Sequence, residues 1–361
     1  MKYRMISAWF VLSLVGCGSK PASEPSAVSV ASSAPSVAPP PPSPVATAAV
    51  TANESAAPAA PSEAEKAQKA RAKADADHEK ELARWTPELH AQAKRLADAS
   101  YASTDVALKA ALASPHRQPG NADRDKYRHP RETLEFFDMQ PSSTVLEYGP
   151  GGGWYTELLA PVLAKRGKLF VTSDDPNGPG ERAVFGYRMK LLFETSPELF
   201  GKVEPIAVEQ KSPKIPFDDK FDTVLVIREL HNLVNDGSLD AWLAEFQHAL
   251  KPQGVLGIVD HRALPGADPL KSSKLGYLPE AWVIEKVEAA GFKLSGKSEI
   301  NANPKDTKDY PDGVWTLPPS YRLGDKDRAK YAAIGESDRF TLRFVKKGGT
   351  AHPPPASDTK H

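Results

Sequence analysis

The chain predicts an α/β fold, a mostly parallel sheet of seven strands with helices on both faces. Three observations predict it. Between about residues 102 and 347 short apolar runs alternate with helical patterns, the rhythm of strands joined by crossover helices. One run, Val145-Leu-Glu-Tyr-Gly-Pro-Gly-Gly-Gly-Trp154, passes from an apolar strand through an acidic residue into a glycine turn and a helix start. Charged clusters recur after the other runs, where open sheets of this kind gather ligands over the carboxyl ends of their strands.

The segments before this region read differently. Lys2 and Arg4 precede an apolar stretch from Met5 to Val15, the pattern of an export signal and too short for a stable bilayer span. It ends Leu14-Val15-Gly16-Cys17, and Cys17 is the only cysteine, so an intrachain disulfide and a multi-thiolate metal site are both excluded. The ending resembles the lipobox of bacterial lipoproteins, which implies that residues 1–17 form a lipoprotein signal ending at the cysteine, cleaved before Cys17, with acylation of Cys17 and a membrane anchor on the exported side of the envelope. Residues 18–61, rich in Ala, Pro, Ser and Val, cannot bury a core and predict an extended tether. From Ser62 the composition turns to Ala, Glu, Lys and Arg, which predicts exposed helices over 62–100, a stalk or partner surface. Residues 348–361 predict a disordered tail. With 46 basic and 46 acidic residues, the chain carries no electrostatic footprint for nucleic acid.

Within the α/β region the first strand is expected at Thr144–Tyr148, with its helix over Trp154–Lys165. Further strands are expected at Lys168–Thr172, Val203–Val208 and Phe221–Ile227. A helix over Leu239–Leu250 leads through the turn Lys251-Pro-Gln-Gly254 to a fifth strand, Val255–Asp260. A helix near Pro279–Ala290 stops at Gly291 before a sixth strand, Lys293–Glu299. The last, Arg339–Val345, is expected to pair antiparallel at one edge of the sheet.

At the carboxyl ends of these strands the candidate site residues accumulate. Gly149, Gly151 and Gly153 allow positive φ and a close backbone approach to a ligand, and Glu147 reaches into the same crevice. A dinucleotide fingerprint begun at Gly149 needs glycine or alanine at its sixth position, where Trp154 stands, so NAD and FAD are disfavoured. Asp174 and Asp175 follow the second strand, Glu209 and Gln210 the third, Arg228, Glu229, His231 and Asn232 the fourth, and Asp260, His261 and Arg262 the fifth. His231, with an intrinsic pKa suited to neutral pH, leads the candidates for a general base, ahead of His129, Tyr127 and His261. Arg228 either holds an anionic substrate group or pairs with Glu229. No His-Glu-x-x-His or similar spacing suggests a metal. The long connection Ile300–Asp338 carries Tyr310, Trp315 and Tyr321, and its part Asp309–Tyr321 is expected to form a lid or substrate wall.

From about Asp123 to Lys346 the chain resembles predicted bacterial class I S-adenosylmethionine-dependent methyltransferases. The strings that carry the resemblance are Arg124-Asp-Lys-Tyr-Arg-His-Pro130, Gly151-Gly-Gly-Trp-Tyr-Thr-Glu157, Arg228-Glu-Leu-His-Asn232, Leu250-Lys-Pro-Gln-Gly-Val-Leu-Gly-Ile-Val-Asp-His-Arg262 and Glu299-Ile-Asn-Ala-Asn-Pro-Lys-Asp-Thr-Lys308. The resemblance implies the Rossmann-like class I methyltransferase fold and methyl transfer to a small-molecule acceptor. It implies that Gly149, Gly151 and Gly153 cradle the methionine part of S-adenosylmethionine, with Glu147 orienting its amino group. The acid that usually holds the ribose is displaced here: Ser173 takes its place, with Asp174 or Asp175 as the substitute. Glu209 or Gln210 would meet the adenine. The exported location, away from the compartment that makes the cofactor, supports an alternative: a non-catalytic envelope lipoprotein that uses the fold to bind a nucleoside-like or other ligand. A structural adaptor acting through the Ala/Lys/Glu helices would leave the glycine turn without a purpose.

Overall fold

Alternation along the central strands sorts the apolar residues into two cores, one on each face of a single sheet. The computed structural model describes residues 62–349. Its seven strands are β1 (Thr144–Tyr148), β2 (Lys168–Ser173), β3 (Glu204–Ala207), β4 (Phe221–Ile227), β5 (Leu250–His261), β6 (Phe292–Ser298) and β7 (Arg339–Lys346). They lie in the order β3-β2-β1-β4-β5-β7-β6. Neighbours from β3 to β5 are parallel, and β7 runs antiparallel to both β5 and β6. This is the expected Rossmann-like class I methyltransferase fold. The antiparallel strand lies at the expected end of the sheet, second from the edge, with β6 outside it.

Val145, Leu225, Val255 and Val259 point into one core and Leu146, Val224, Val226, Leu256 and Ile258 into the other, as the two-residue period of a strand requires. Both faces are covered, which is why these strands read as near-continuous apolar runs. The first core is closed by helices Pro87–Asp98, Thr104–Ala113, Thr156–Leu163 and Gly180–Thr195, the second by Leu230–Asn235, Leu239–Ala249 and Glu280–Ala289. Trp242 is fully buried in the second core and donates its indole N–H to the Gln210 carbonyl at 3.0 Å. The segment expected as the turn Lys251–Gly254 is instead continuous with β5, and the register against β4 shifts there, between Phe221 and Thr223.

The helices expected as an exposed stalk over 62–100 pack on the domain. Trp85, Leu89, Ala93 and Ala97 belong to the first core. Helix Glu63–Arg84 lies along helix Gly180–Thr195: Tyr187 donates to Asp75 at 2.6 Å, and the Arg71 guanidinium sits 4.9 Å from the Tyr187 ring centroid. The charged residues that suggested a stalk cover the outward side, while small apolar residues spaced along the helices make the inward one. Cys17, the tether 18–61 and the tail beyond residue 349 lie outside the described residues.

Leu89→Ala therefore costs about 2–4 kcal/mol of folding stability in urea titration, the range of a buried leucine truncation. A stalk residue would change it by less than about 0.5 kcal/mol.

Candidate functional site

Parallel pairing of β1, β4 and β5 brings their carboxyl ends to one edge, and the glycine turn after β1 opens onto two adjoining clefts there. Gly149 and Gly151 border both, with φ of 60° and 57°. A Cβ on Gly149 would stand 2.7 Å from Glu229 Cγ, whereas one on Gly151 would meet nothing within 4 Å. Gly151 thus presents bare backbone to open space, as ligand contact requires. Gly153 corrects the expectation: it borders neither cleft, and its φ of 80° serves helix packing, since a Cβ there would strike Leu192.

The first cleft runs past the end of β2. Asp174 lines it and Asp175 does not; Asp175 is exposed and accepts the Asn177 N–H at 2.9 Å in its own turn. The structure likewise favours Gln210 over Glu209. Gln210 lines the cleft and donates to the Tyr148 hydroxyl at 2.7 Å, while Glu209 is exposed and accepts from Ser212. Arg182 donates to Asp174 at 3.2 Å and to the Gln210 side-chain oxygen at 3.1 Å, setting one acid and one amide side by side. Phe185 adds an apolar ring that is 49% exposed, an unusual exposure for a large apolar side chain and a ready stacking surface.

The second cleft lies past the ends of β4 and β5. His231 is buried in its wall, and its Nδ1 lies 3.0 Å from Asp260 Oδ1. Asp260, fully buried, also accepts the His231 N–H at 2.9 Å and the His261 N–H at 2.8 Å. Burial works against a charged imidazole, but the charge and hydrogen bond of Asp260 outweigh it and raise the His231 pKa. His261 moves the other way: burial, then Arg228, holds it well below its ordinary value, and its Nδ1 meets the Ser337 hydroxyl. Among the described residues His231, Asp260 and His261 form a group with ligand atoms within 4.8 Å of one another. Both Asp260 oxygens also accept backbone N–H groups, which fixes the carboxylate as the acid of a hydrogen-bonded acid–imidazole dyad with His231.

Two carboxyls line this region, Glu229 bordering both clefts and Glu147 only the second. Glu147 accepts from the Thr156 hydroxyl at 2.7 Å, and burial pushes it up to about 7. Glu229 accepts from Asn232 at 2.8 Å and is likewise pushed up to about 7, mainly by burial. Trp315 and Pro319 complete the cleft, with the Trp315 and His231 ring centroids 5.9 Å apart. The segment Asp309–Tyr321 is therefore a wall; Val314, Thr316 and Leu317 anchor it by burial.

Two base candidates fall away. The Tyr127 ring packs against Gly335, and His129, held at φ 39° between two short helices, turns its Nδ1 toward Asn301 at 3.4 Å. Neither borders the clefts. Their neighbours Arg124 and Arg128 do, four residues apart and so on one face of the local helical turns. That spacing was the available signal in the sequence. Arg228 borders the second cleft as well, and no ion pair joins it to Glu229.

A carboxyl whose pKa is raised on folding stabilises the fold below its ordinary value and loses that contribution as pH rises. Glu147→Gln keeps an acceptor for Thr156 without the charge, so wild type and variant should melt together at pH 4, below the ordinary carboxyl value. At pH 9 the variant should be more stable by roughly 3 kcal/mol. Equal melting at both pH values would mean that Glu147 ionises freely.

No protein-family model and no curated protein matches the chain. Among solved structures it is similar to a SAM-dependent methyltransferase from Aquifex aeolicus, with 19% identity over 63% of this chain and 94% of that one, and a TM-score of 0.43. It is similar also to the CcbJ methyltransferase of Streptomyces caelestis, at 12% identity over 64% and 93% of the two chains and a TM-score of 0.41. The [4+2]-cyclase SpnF matches at 18% identity over 61% and 80%, with a TM-score of 0.42. Likeness at this level carries no argument about the reaction.

Proposed function

We propose that the chain is an S-adenosylmethionine-dependent methyltransferase acting on a small-molecule acceptor. The observation that carries the reading is the continuity of two chemically different clefts across one glycine turn. The first cleft fits the cofactor by the chemistry of its donors. Gly151 leaves backbone open beside it, the Asp174 carboxylate has two oxygens for two ribose hydroxyls, and Gln210 and Phe185 offer an amide and a ring to a base. Glu229 borders this cleft and Glu147 the adjoining one, so an ammonium group at their junction would find carboxylates. When bound, the cofactor supplies an electrophilic methyl group on a sulfonium.

The chain's own residues then have two tasks, holding the acceptor and accepting its proton. Asp260 fixes the His231 tautomer: with Nδ1–H donated to the carboxylate, Nε2 carries the lone pair and makes no hydrogen bond among the described residues. His231 is accordingly the base, Asp260 its positioning residue, and Trp315 the surface that keeps water from the dyad. The export signal and Cys17 support an envelope-anchored location for this activity.

Calorimetric titration with S-adenosylmethionine and its demethylated product tests the reading. Micromolar binding is expected, weakened about tenfold in Asp174→Ala by loss of charge-assisted hydrogen bonds. Near pH 7 a cationic ligand should expel protons from Glu147 and Glu229, so the measured heat should change with the ionisation enthalpy of the buffer. A folded sample that binds neither compound would shift the assignment to the non-catalytic ligand-binding lipoprotein.

A further inference from the structure

The second cleft holds more cations than its acids neutralise. Arg124, Arg128 and Arg228 border it, and Arg339 is buried behind them. One carboxylate, Glu336, serves this group: Arg128 Nε donates to it at 3.0 Å and Arg339 Nη1 at 3.0 Å. The side chains of Arg124 and Arg228 have no hydrogen bond or ion pair among the described residues, and Arg228 Nε is buried without a partner. Unpaired, partly buried guanidinium groups are costly, and two of them, Arg124 and Arg228, facing one cleft beside the paired Arg128 point to a partner that comes from outside the chain.

The acids of the neighbourhood report the same imbalance. Burial would raise Glu336, yet Arg339, Arg128 and Arg228 together hold it at about 2. Glu147 and Glu229 border the same cleft and rise to about 7. Carboxylates that neutralised Arg124 and Arg228 would be depressed as Glu336 is. Arg128 is itself lowered to about 9, by burial and then by Arg228, although Glu336 works in the opposite direction.

We propose that this cleft takes a small organic anion, whose carboxylate or phosphate is held by the guanidinium groups of Arg124, Arg128 and Arg228. Planar forks match either oxyanion in two-point hydrogen bonds. The apolar body of the anion lies against Trp315, whose other partner is Arg322, with the cation 4.7 Å from the ring centroid. That this anion is the methyl acceptor rests on the methyltransferase reading; the anion site itself rests on the unpaired arginines.

The test uses the full chain and three probes of one shape: benzoate, phenyl phosphate and the neutral benzyl alcohol, with binding followed by calorimetry. Benzoate or phenyl phosphate should bind at least about tenfold more tightly than benzyl alcohol, and Arg228→Met should remove about tenfold of that affinity. Whichever anion binds more tightly distinguishes a carboxylate from a phosphate ligand. Arg228→Lys should recover only part of the loss, because a point charge lacks the fork. Arg228→Met should also melt at or above the wild-type temperature, since it relieves repulsion among cations, and this keeps lost binding from being read as lost folding. Equal affinity for the alcohol and both anions, or anion affinity unchanged in Arg228→Met and Arg124→Met, would overturn the proposal. Anion binding in a protein that does not bind S-adenosylmethionine would support the anion site and overturn the methyltransferase reading alone.

Discussion

The second cleft depends on the carboxylate of Glu157. It accepts from Arg117 Nε at 2.9 Å, Asn121 Nδ2 at 2.9 Å and the Gln118 N–H at 3.0 Å, while its own carbonyl accepts from His116 at 2.7 Å. It sits in the first turn of helix Thr156–Leu163, where the helix dipole favours a negative charge. Through these bonds an acid just after the glycine turn ties residues 116–121 to its helix, and Arg117 in turn reaches Asp125. Trp154 adds a further tie, donating to the Asn121 carbonyl at 3.0 Å. Without that anchoring, Gln118 and Asn121 would lose their place beside the cleft.

The same part of the molecule shows how burial and charge compete. Glu336, among arginines, stays ionised far below neutrality, whereas Glu147 and Glu229, bonded to uncharged donors of Thr156 and Asn232, are pushed up to about 7 by desolvation. Asp260 is wholly buried and is satisfied instead by two backbone N–H groups and an imidazole. Three solutions for a buried acid thus stand around one cleft, each set by what the neighbouring atoms donate.

Most of the sheet was legible in the sequence because its strands are buried on both faces. β1 and β4 occupy the residues their apolar runs mark, and β2, β6 and β7 differ by a residue or so at an end. Legibility failed where a face, not a run, carries the information. Helix Pro87–Asp98 hides its packing in alternating small residues among charges, and Ser62–Ala97 therefore looked solvated. Within Arg124–Pro130 the aromatic and imidazole groups drew attention as chemistry, while the arginines four apart formed the cleft wall. Choosing Asp174 over Asp175 and Gln210 over Glu209 needed the turn geometry after β2 and β3, which a single sequence leaves open.

The pairing of Arg128 with Glu336 joins residues 208 positions apart. Contacts this remote close late, because a long loop must be ordered before they return any stabilisation. A chain made from its N-terminus carries its glycine turn long before Glu336, Arg339 and the inner strand β7 exist to complete the cleft. The protein consequently has no competent cleft while it is being synthesised, and any premature stop before β7 leaves the ligand turn stranded without its wall.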